Sequence, residues 1–233
     1  VRRFGGVGKA RTFFVGAITG QAILHVLYEQ LMRPSIYRAM RNYEEWFVTS
    51  LIMDEGQCRG AVAMNIRTGE LHAITAKATI VCTGGLGRVY EPSTNALICT
   101  GDGISLAYRA GAPIMDMEMV QIHPTSLKGS GVLITEGARG EGAYLLNKDG
   151  ERFMTKYAPS MMELASRDVV SRAEQTEIDE GRGVDGCVFL HMRHLGEALI
   201  KERLEEIYEI ARDLVNIDVS KELLPILPGV HYI

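Results

Sequence analysis

With 233 residues, 46% hydrophobic and 23% charged, the chain has room for one large domain or two modest ones and the composition of a folded protein. Its formal net charge of -4 argues against a nucleic-acid partner, which calls for a basic surface. No apolar run reaches the ~20 residues of a membrane-spanning helix.

The chain opens on Val1-Arg2-Arg3 and passes directly into Phe4-Gly5-Gly6, with no signal-peptide pattern. It closes on the apolar Gly229-Val230-His231-Tyr232-Ile233. Both ends read as cut, so a piece of a longer protein is expected. Thr19 is placed to cap a helix whose apolar positions are Ile23, Leu24, Leu27 and Leu31, stopped by Pro34. Three strand-like runs follow: Trp46–Met53, Arg59–Asn65 and Glu70–Thr75, joined by short turn sequences. They predict a β-meander.

Ala78–Cys82 is a short continuous apolar run, the pattern of a buried strand in a parallel sheet. It leads into Thr83-Gly84-Gly85-Leu86-Gly87. Such a strand end is where α/β folds set a ligand against bare backbone, although glycines alone also suit a plain tight turn. Thr100-Gly101-Asp102-Gly103 precedes a small-residue helix, Ile104–Ala110.

Near Met117 the pattern changes, and a domain boundary is expected there. Met115, Met117 and Met119 alternate with Asp116, Glu118 and Val120, which predicts a strand with Gln121 and His123 on the Met face. Leu145–Phe153 reads as a hairpin with Asp149-Gly150 at its turn. Helices are predicted over Arg167–Glu180, with Ser166 at the N-cap, and over Leu195–Val215, with Ile200, Leu204, Ile207, Ala211 and Leu214 on one face.

The four cysteines, Cys58, Cys82, Cys99 and Cys187, form no C-x-x-C pair and read as reduced, mostly buried thiols. His191 and His194 lack a third ligand nearby, so no metal site is expected. Thr135–Gly142 is chemically the densest stretch. Two carboxylates, a guanidinium and a hydroxyl sit among Gly137, Gly140 and Gly142. Such a loop aims several polar groups at one point, and by itself suits a solvated surface equally. Arg167 falls in the first turn of its helix, where a cation opposes the macrodipole and Asp168 offsets part of the cost. His123, ahead of Pro124, is held extended and by itself suits a structural role.

Taken together, these pieces resemble the flavoprotein subunits of fumarate reductase and succinate dehydrogenase along essentially the whole chain. The resemblance rests on Val1–Gly6, Arg11–Phe14, Thr83–Tyr90, Thr94-Asn95, Thr100–Gly103, Asp116–Glu118, Gln121–Thr125, Thr135–Gly142, Ser166–Arg172 and Arg193–Gly196, in that order. L-aspartate oxidase shares the Thr135–Gly142 pattern. It and soluble flavin-dependent fumarate reductases are the alternative reading.

The resemblance implies an α/β fold: a partial FAD-binding domain over 1–116, with a parallel sheet plus the β-meander, and an α+β capping domain over 117–228. Residues 229–233 would begin the return to the FAD-binding domain. It further implies FAD, a dicarboxylate held between the two domains, hydride transfer through flavin N5, and proton transfer by Arg167 through Glu136 and Arg139. His123, Thr135 and His231 match residues that hold the substrate carboxylates, and Phe4 an aromatic beside the substrate. Thr83, Gly84, Gly85, Asn95, Asp102 and Thr19 match residues that approach FAD. The partners implied are fumarate or succinate, an iron–sulfur subunit and membrane anchor subunits, with a peripheral place on the cytoplasmic face of the cell membrane. The chain departs from the pattern at Ala17 and Ile18, where an acidic and a basic residue are usual. It also lacks the G-x-G-x-x-G loop, the His of covalent flavin attachment and a second substrate Arg. These three absences fit truncation, so the polypeptide alone is expected neither to hold FAD tightly nor to turn over.

Overall fold

The computed structural model describes residues 13–15 and 18–232. The chain divides into two units: one comprises 14–86 and 99–117, the other 1–13, 87–98 and 118–233.

In the first unit, helix α1 (Thr19–Leu31) begins at the expected place, but Ile18 is its N-cap. The Thr19 hydroxyl instead accepts the Val15 N–H at 2.9 Å. Pro34 opens a short helix, α2 (Pro34–Tyr37), where its fixed φ and missing N–H are tolerated. Strands β1 (Trp46–Asp54), β2 (Gln57–Asn65) and β3 (Leu71–Thr75) form an antiparallel sheet in the order β1-β2-β3. This is the expected meander. Gly60 has φ +136, and a Cβ there would strike the β3 backbone at Ile74 and Thr75, so glycine lets the two strands close.

Ala78–Cys82 forms no strand; Ile80 is 87% exposed. A strand of that composition needs hydrogen-bonded neighbours and covered faces, and among the described residues no strand pairs with it. Both sheets are antiparallel, which corrects the expected parallel sheet while leaving a mixed helix-and-sheet fold. Helix α3 (Asp102–Arg109) completes this unit. Met115–Met119 is not a strand either, because Asp116 takes a left-handed φ of 56° that breaks the extended repeat.

The second unit is built on a four-stranded sheet in the order β4-β7-β6-β5. Its strands are β4 (Gln121–Leu127), β5 (Tyr144–Leu146), β6 (Val188–His191) and β7 (Leu224–Tyr232), with β7 central. The sequence reading missed β7 because Pro225 and Pro228 lie in it, and proline is rare inside central strands. Pro228 falls at the irregular register between β4 and β7, while Pro225 pairs with Phe189 of β6. Of the expected Leu145–Phe153 hairpin, only the first strand and the turn form. Asn147 Oδ1 accepts the Asp149 and Glu151 N–H groups, after which the chain enters helix α5 (Met154–Tyr157). β5 pairs with β6 instead.

Helix α6 (Arg167–Asp179) matches its predicted span, and Ser166 occupies the N-cap position. Its hydroxyl bonds the Asp168 carboxylate at 2.5 Å, with no side-chain cap to the backbone. The long helix expected over Leu195–Val215 is two helices, α7 (Glu197–Arg203) and α8 (Glu205–Val215), broken at Leu204 (φ -128°). The break keeps Ile200, Leu204, Ile207 and Ala211 in one core with Leu127, Leu145, Val170, Leu190 and Ile226, and leaves Leu214 52% exposed. All four cysteines are free, but only Cys187 is buried and Cys82 is exposed, against the expectation of mostly buried thiols.

Candidate active site

Four elements of the second unit bring the polar residues together. Strand β4 carries Gln121 and His123, and β7 carries His231. Thr135 and Glu136 lead into the short helix α4 (Gly137–Gly140), which holds Arg139, and α6 starts at Arg167. Thr135 Oγ1 accepts the Gly137 N–H at 3.2 Å. That bond ties off the start of the glycine-broken turn and orients Glu136 and Arg139 to its inner side.

Arg167 is held from two directions. Its Nε donates to Glu136 Oε2 at 3.2 Å and its Nη1 to Gln121 Oε1 at 2.8 Å. The Glu136 side chain is 11% exposed and that of Arg167 33%, so the pair sits at a wall, open on one side. That side is a cleft of about 910 Å³ lined by Gln121, Glu136 and Arg167 and, beyond them, by Met161 and Leu164. His123, Thr135, Arg139 and His231 lie outside its lining.

His123 is buried, and Nδ1 accepts the Thr125 N–H at 3.1 Å. The Thr125 hydroxyl donates to the Ile134 carbonyl at 2.6 Å. These bonds place the imidazole proton on Nε2, which becomes a hydrogen-bond donor. Burial, with the charges of Arg167 and Arg139, pushes the His123 pKa down to about 2, so it is neutral across the physiological range. The His231 ring packs edge-on at 5.1 Å from His123, and its Nδ1 lies 2.7 Å from Thr94 Oγ1. Burial and Arg167 lower its pKa as well.

Arg139 is buried and donates from Nη1 to the Glu163 carbonyl at 2.5 Å. Burial lowers its pKa, while Glu136, Glu174 and Glu163 favour its charge. The site therefore combines an anchored guanidinium, a carboxylate in contact with it, a second guanidinium coupled to that carboxylate by charge, and two neutral imidazoles. Such a set suits an anion with proton traffic beside it.

Three neighbours of these residues carry no expectation from the sequence. Gln121 shares a strand face with His123 yet had no role assigned. Glu163 and Glu174 are buried. Glu174 did leave a signal, since with Val170, Ala173 and Glu177 it occupies the inward stripe of α6. Phe4 lies outside the described residues.

The residues expected near FAD fall in both units. In the first, Thr83–Gly85 is exposed or half-exposed backbone. Gly84 has φ +72 with open space where a Cβ would stand. The Gly85 carbonyl accepts the Gly101 N–H at 3.2 Å at the start of α3, and a Cβ on Gly103 would strike Thr83. Bare glycine backbone packed against a helix N-terminus is a cradle that fits the phosphate and adenosine part of a dinucleotide. Asp102, in the first turn of α3, accepts from the Thr100 hydroxyl. Thr19 lies at the start of α1. In the second unit, Asn95 Nδ2 donates to the His231 carbonyl at 2.8 Å, tying the Thr94-Asn95 segment to β7. His191 and His194 stack with Tyr144, and among the described residues no cluster of three metal-ligating groups occurs.

The FAD binding domain family matches residues 1–233; the chain belongs to that family, and its cofactor is FAD. The chain is 50% identical over 242 residues to the succinate dehydrogenase flavoprotein subunit of Rickettsia conorii, covering 99% of this chain and 40% of that protein. It is 47% identical over 245 residues to the fumarate reductase flavoprotein subunit of Mycobacterium tuberculosis, covering 100% and 42%. Among solved structures, a quinol-fumarate reductase with menaquinol molecules matches with TM-score 0.91 and 43% identity, over all of this chain and 42% of the other. An E. coli quinol fumarate reductase matches with TM-score 0.92 and 42% identity. The chain thus spans about two fifths of the length of the relatives it matches.

Proposed function

We propose that the chain is part of an FAD-bearing subunit that interconverts fumarate and succinate. The observation that carries this reading is the Arg167 guanidinium, fixed by Glu136 and Gln121 and electrostatically coupled to the two neutral histidines His123 and His231.

FAD, when bound, supplies hydride exchange through flavin N5. The chain's own residues do the rest. His123 Nε2–H, the Thr135 hydroxyl and His231 hold the two substrate carboxylates by hydrogen bonds, and neutral imidazoles do so without drawing a proton. Phe4, outside the described residues, matches an aromatic beside the substrate by resemblance alone. Arg167 presents its remaining N–H groups to the substrate, donates a proton to the carbon next to the hydride-accepting one, and stabilises the charge developing on the substrate. A guanidinium scarcely ever gives up a proton, so it needs immediate resupply. Glu136 is in contact with Arg167 to provide it, and Arg139 stands behind Glu136 as the next donor. A carboxylate between two guanidiniums passes a proton with little change in total charge. On the FAD side, Thr83, Gly84, Gly85 and Asp102 are assigned to the adenosine and flavin contacts, with Asn95 and Thr19.

Among the described residues no helix is long and apolar enough to cross a membrane, and the relatives are named as flavoprotein subunits. Association with an iron–sulfur subunit and membrane anchor subunits, at the cytoplasmic face of the membrane, follows from that reading. Expression of the whole reading frame with FAD tests it: turnover of succinate and fumarate is expected, and oxidation of L-aspartate in their place would overturn it.

A further inference from the structure

Glu174 and Glu177 lie one turn apart on α6, both buried, and their surroundings are opposite. Glu177 accepts from Asn147 at 3.0 Å, from Tyr157 at 2.7 Å, and from Arg182 Nε and Nη2 at 2.7 Å each. Neither Glu174 oxygen has a hydrogen-bond partner. The guanidiniums show the same contrast. Arg182 closes its Nε/Nη2 edge on Glu177, and Arg152 closes that edge on Glu163 at 3.0 and 2.6 Å. Arg139 is buried too, and its Nε/Nη2 edge is unpartnered. One bare carboxyl and one bare guanidinium edge thus remain in the same buried region, in a protein that twice joins such groups side-on. That bidentate geometry is the strongest pairing the two can make.

We propose that Glu174 is a positioning residue for Arg139: as a neutral acid it leaves the Nε/Nη2 edge available to Glu136, and on losing its proton to solvent it draws that edge inward into a third side-on pair. The inference rests on the proton-path reading given above. Among the described side chains, the titratable groups on elements packed against α6 are His123 on β4, His231 on β7, His191 on β6, and Lys156 and Tyr157 on α5. Glu136, Arg139 and Glu163 stand on or beside α4. Of these, the charge acting on Glu174 is that of Arg139. Full burial raises the Glu174 pKa well above the ordinary carboxylate range, consistent with the neutral acid as the resting form. An isolated carboxylate at such a site is too costly to persist, so ionisation and the movement of Arg139 are one event. It withdraws the second guanidinium from behind Glu136 and stops resupply of Arg167, giving an alkaline limit on turnover.

The test uses E174Q in the full-length, flavin-loaded protein. Gln preserves the size and neutrality of the acid and cannot ionise. Near neutral pH, fumarate turnover is expected to stay within about threefold of the parent, while the alkaline limb of the pH profile moves up by about one unit or more. Stability gives a readout independent of turnover. A group whose folded pKa is raised contributes stability that is full below the unfolded pKa and lost as pH rises. The Tm gain of E174Q over the parent is therefore expected to be absent near about pH 4 and to grow toward about pH 8. Infrared spectra of the parent are expected to contain a protonated-carboxyl C=O band that E174Q lacks. A Tm offset constant with pH, or superimposable turnover profiles, would overturn the proposal. Malonate binding to the parent separates the two readings. If malonate fails to bind, the dicarboxylate assignment falls, while Glu174 is still judged by the Tm profile and the infrared band.

Discussion

Arg167 Nε stands 3.2 Å from Glu136 Oε2, a contact that joins residues 31 apart in sequence. It turns a glycine-broken loop and a helix start into one device, because Glu136 alone would be a carboxylate at a wall and Arg167 alone a cation at the wrong end of a helix. Glu136 offsets the unfavourable dipole position of Arg167 and, in the proposed proton path, is its proton partner.

Glu136→Gln keeps an oxygen for Arg167 to bond but removes the proton carrier. Fumarate turnover in the flavin-loaded protein should fall by about 10²–10⁴-fold, with dicarboxylate affinity, read by malonate titration, within a few-fold of the parent. Loss of affinity equal to the loss of turnover would make Glu136 a binding group.

His123 links the site to stability. Its folded pKa, about 2, lies below the unfolded value. The unfolded chain therefore takes up a proton below about pH 6.5 that the folded chain refuses. Stability from this source is full above that pH and is lost as pH falls. Chemical unfolding at about pH 5 and pH 7 should show the parent losing roughly 2 kcal/mol more than His123→Gln. An equal loss in both would mean that His123 is protonated in the folded protein.

Much of this arrangement was legible in the sequence, and the gaps have physical causes. The meander from Trp46 to Thr75 was readable because short strands between turn residues carry their own pairing instructions. α6 was readable from its start at Arg167. β7 is hidden because Pro225 and Pro228 contradict a central strand; Pro228 falls at the register irregularity with β4, and Pro225 pairs with Phe189 of β6. Ala78–Cys82 has the composition of a buried strand, yet composition does not supply the neighbours. Glu174 and Gln121 are not legible in the sequence, because a Glu on a helix and a Gln on a strand are ordinary until burial and partners are known. The links of Arg139 to Glu163, and of Arg167 to Gln121, join distant segments that no local pattern connects.

The Glu177 network is a stability element of α6. Arg182→Ala leaves a carboxylate that is 1% exposed with Asn147 and Tyr157 as its donors, and should cost about 3 kcal/mol. The Arg182 contribution is expected to disappear as pH falls toward the Glu177 pKa of about 2, because the pair stabilises the ionised carboxylate. Urea midpoints of parent and variant at neutral and acid pH measure both effects, and a cost that does not change with pH would contradict the assignment.

Gly103 tests the FAD cradle. A Cβ at this position meets the Thr83 side chain, so Gly103→Ala must displace either α3 or the Thr83–Gly85 backbone. Flavin content of the purified full-length variant should drop severalfold, read from the visible absorbance per protein. Undiminished flavin content would show that this backbone does not carry the cofactor.

The most direct test of the proton path is Arg167→Lys in the full-length, flavin-loaded protein. Lysine keeps the charge but loses the planar fork that reaches Glu136 and Gln121 together. The proton path predicts malonate binding within about tenfold of the parent and fumarate turnover lower by about 10³-fold or more. Turnover within about tenfold of the parent would contradict it.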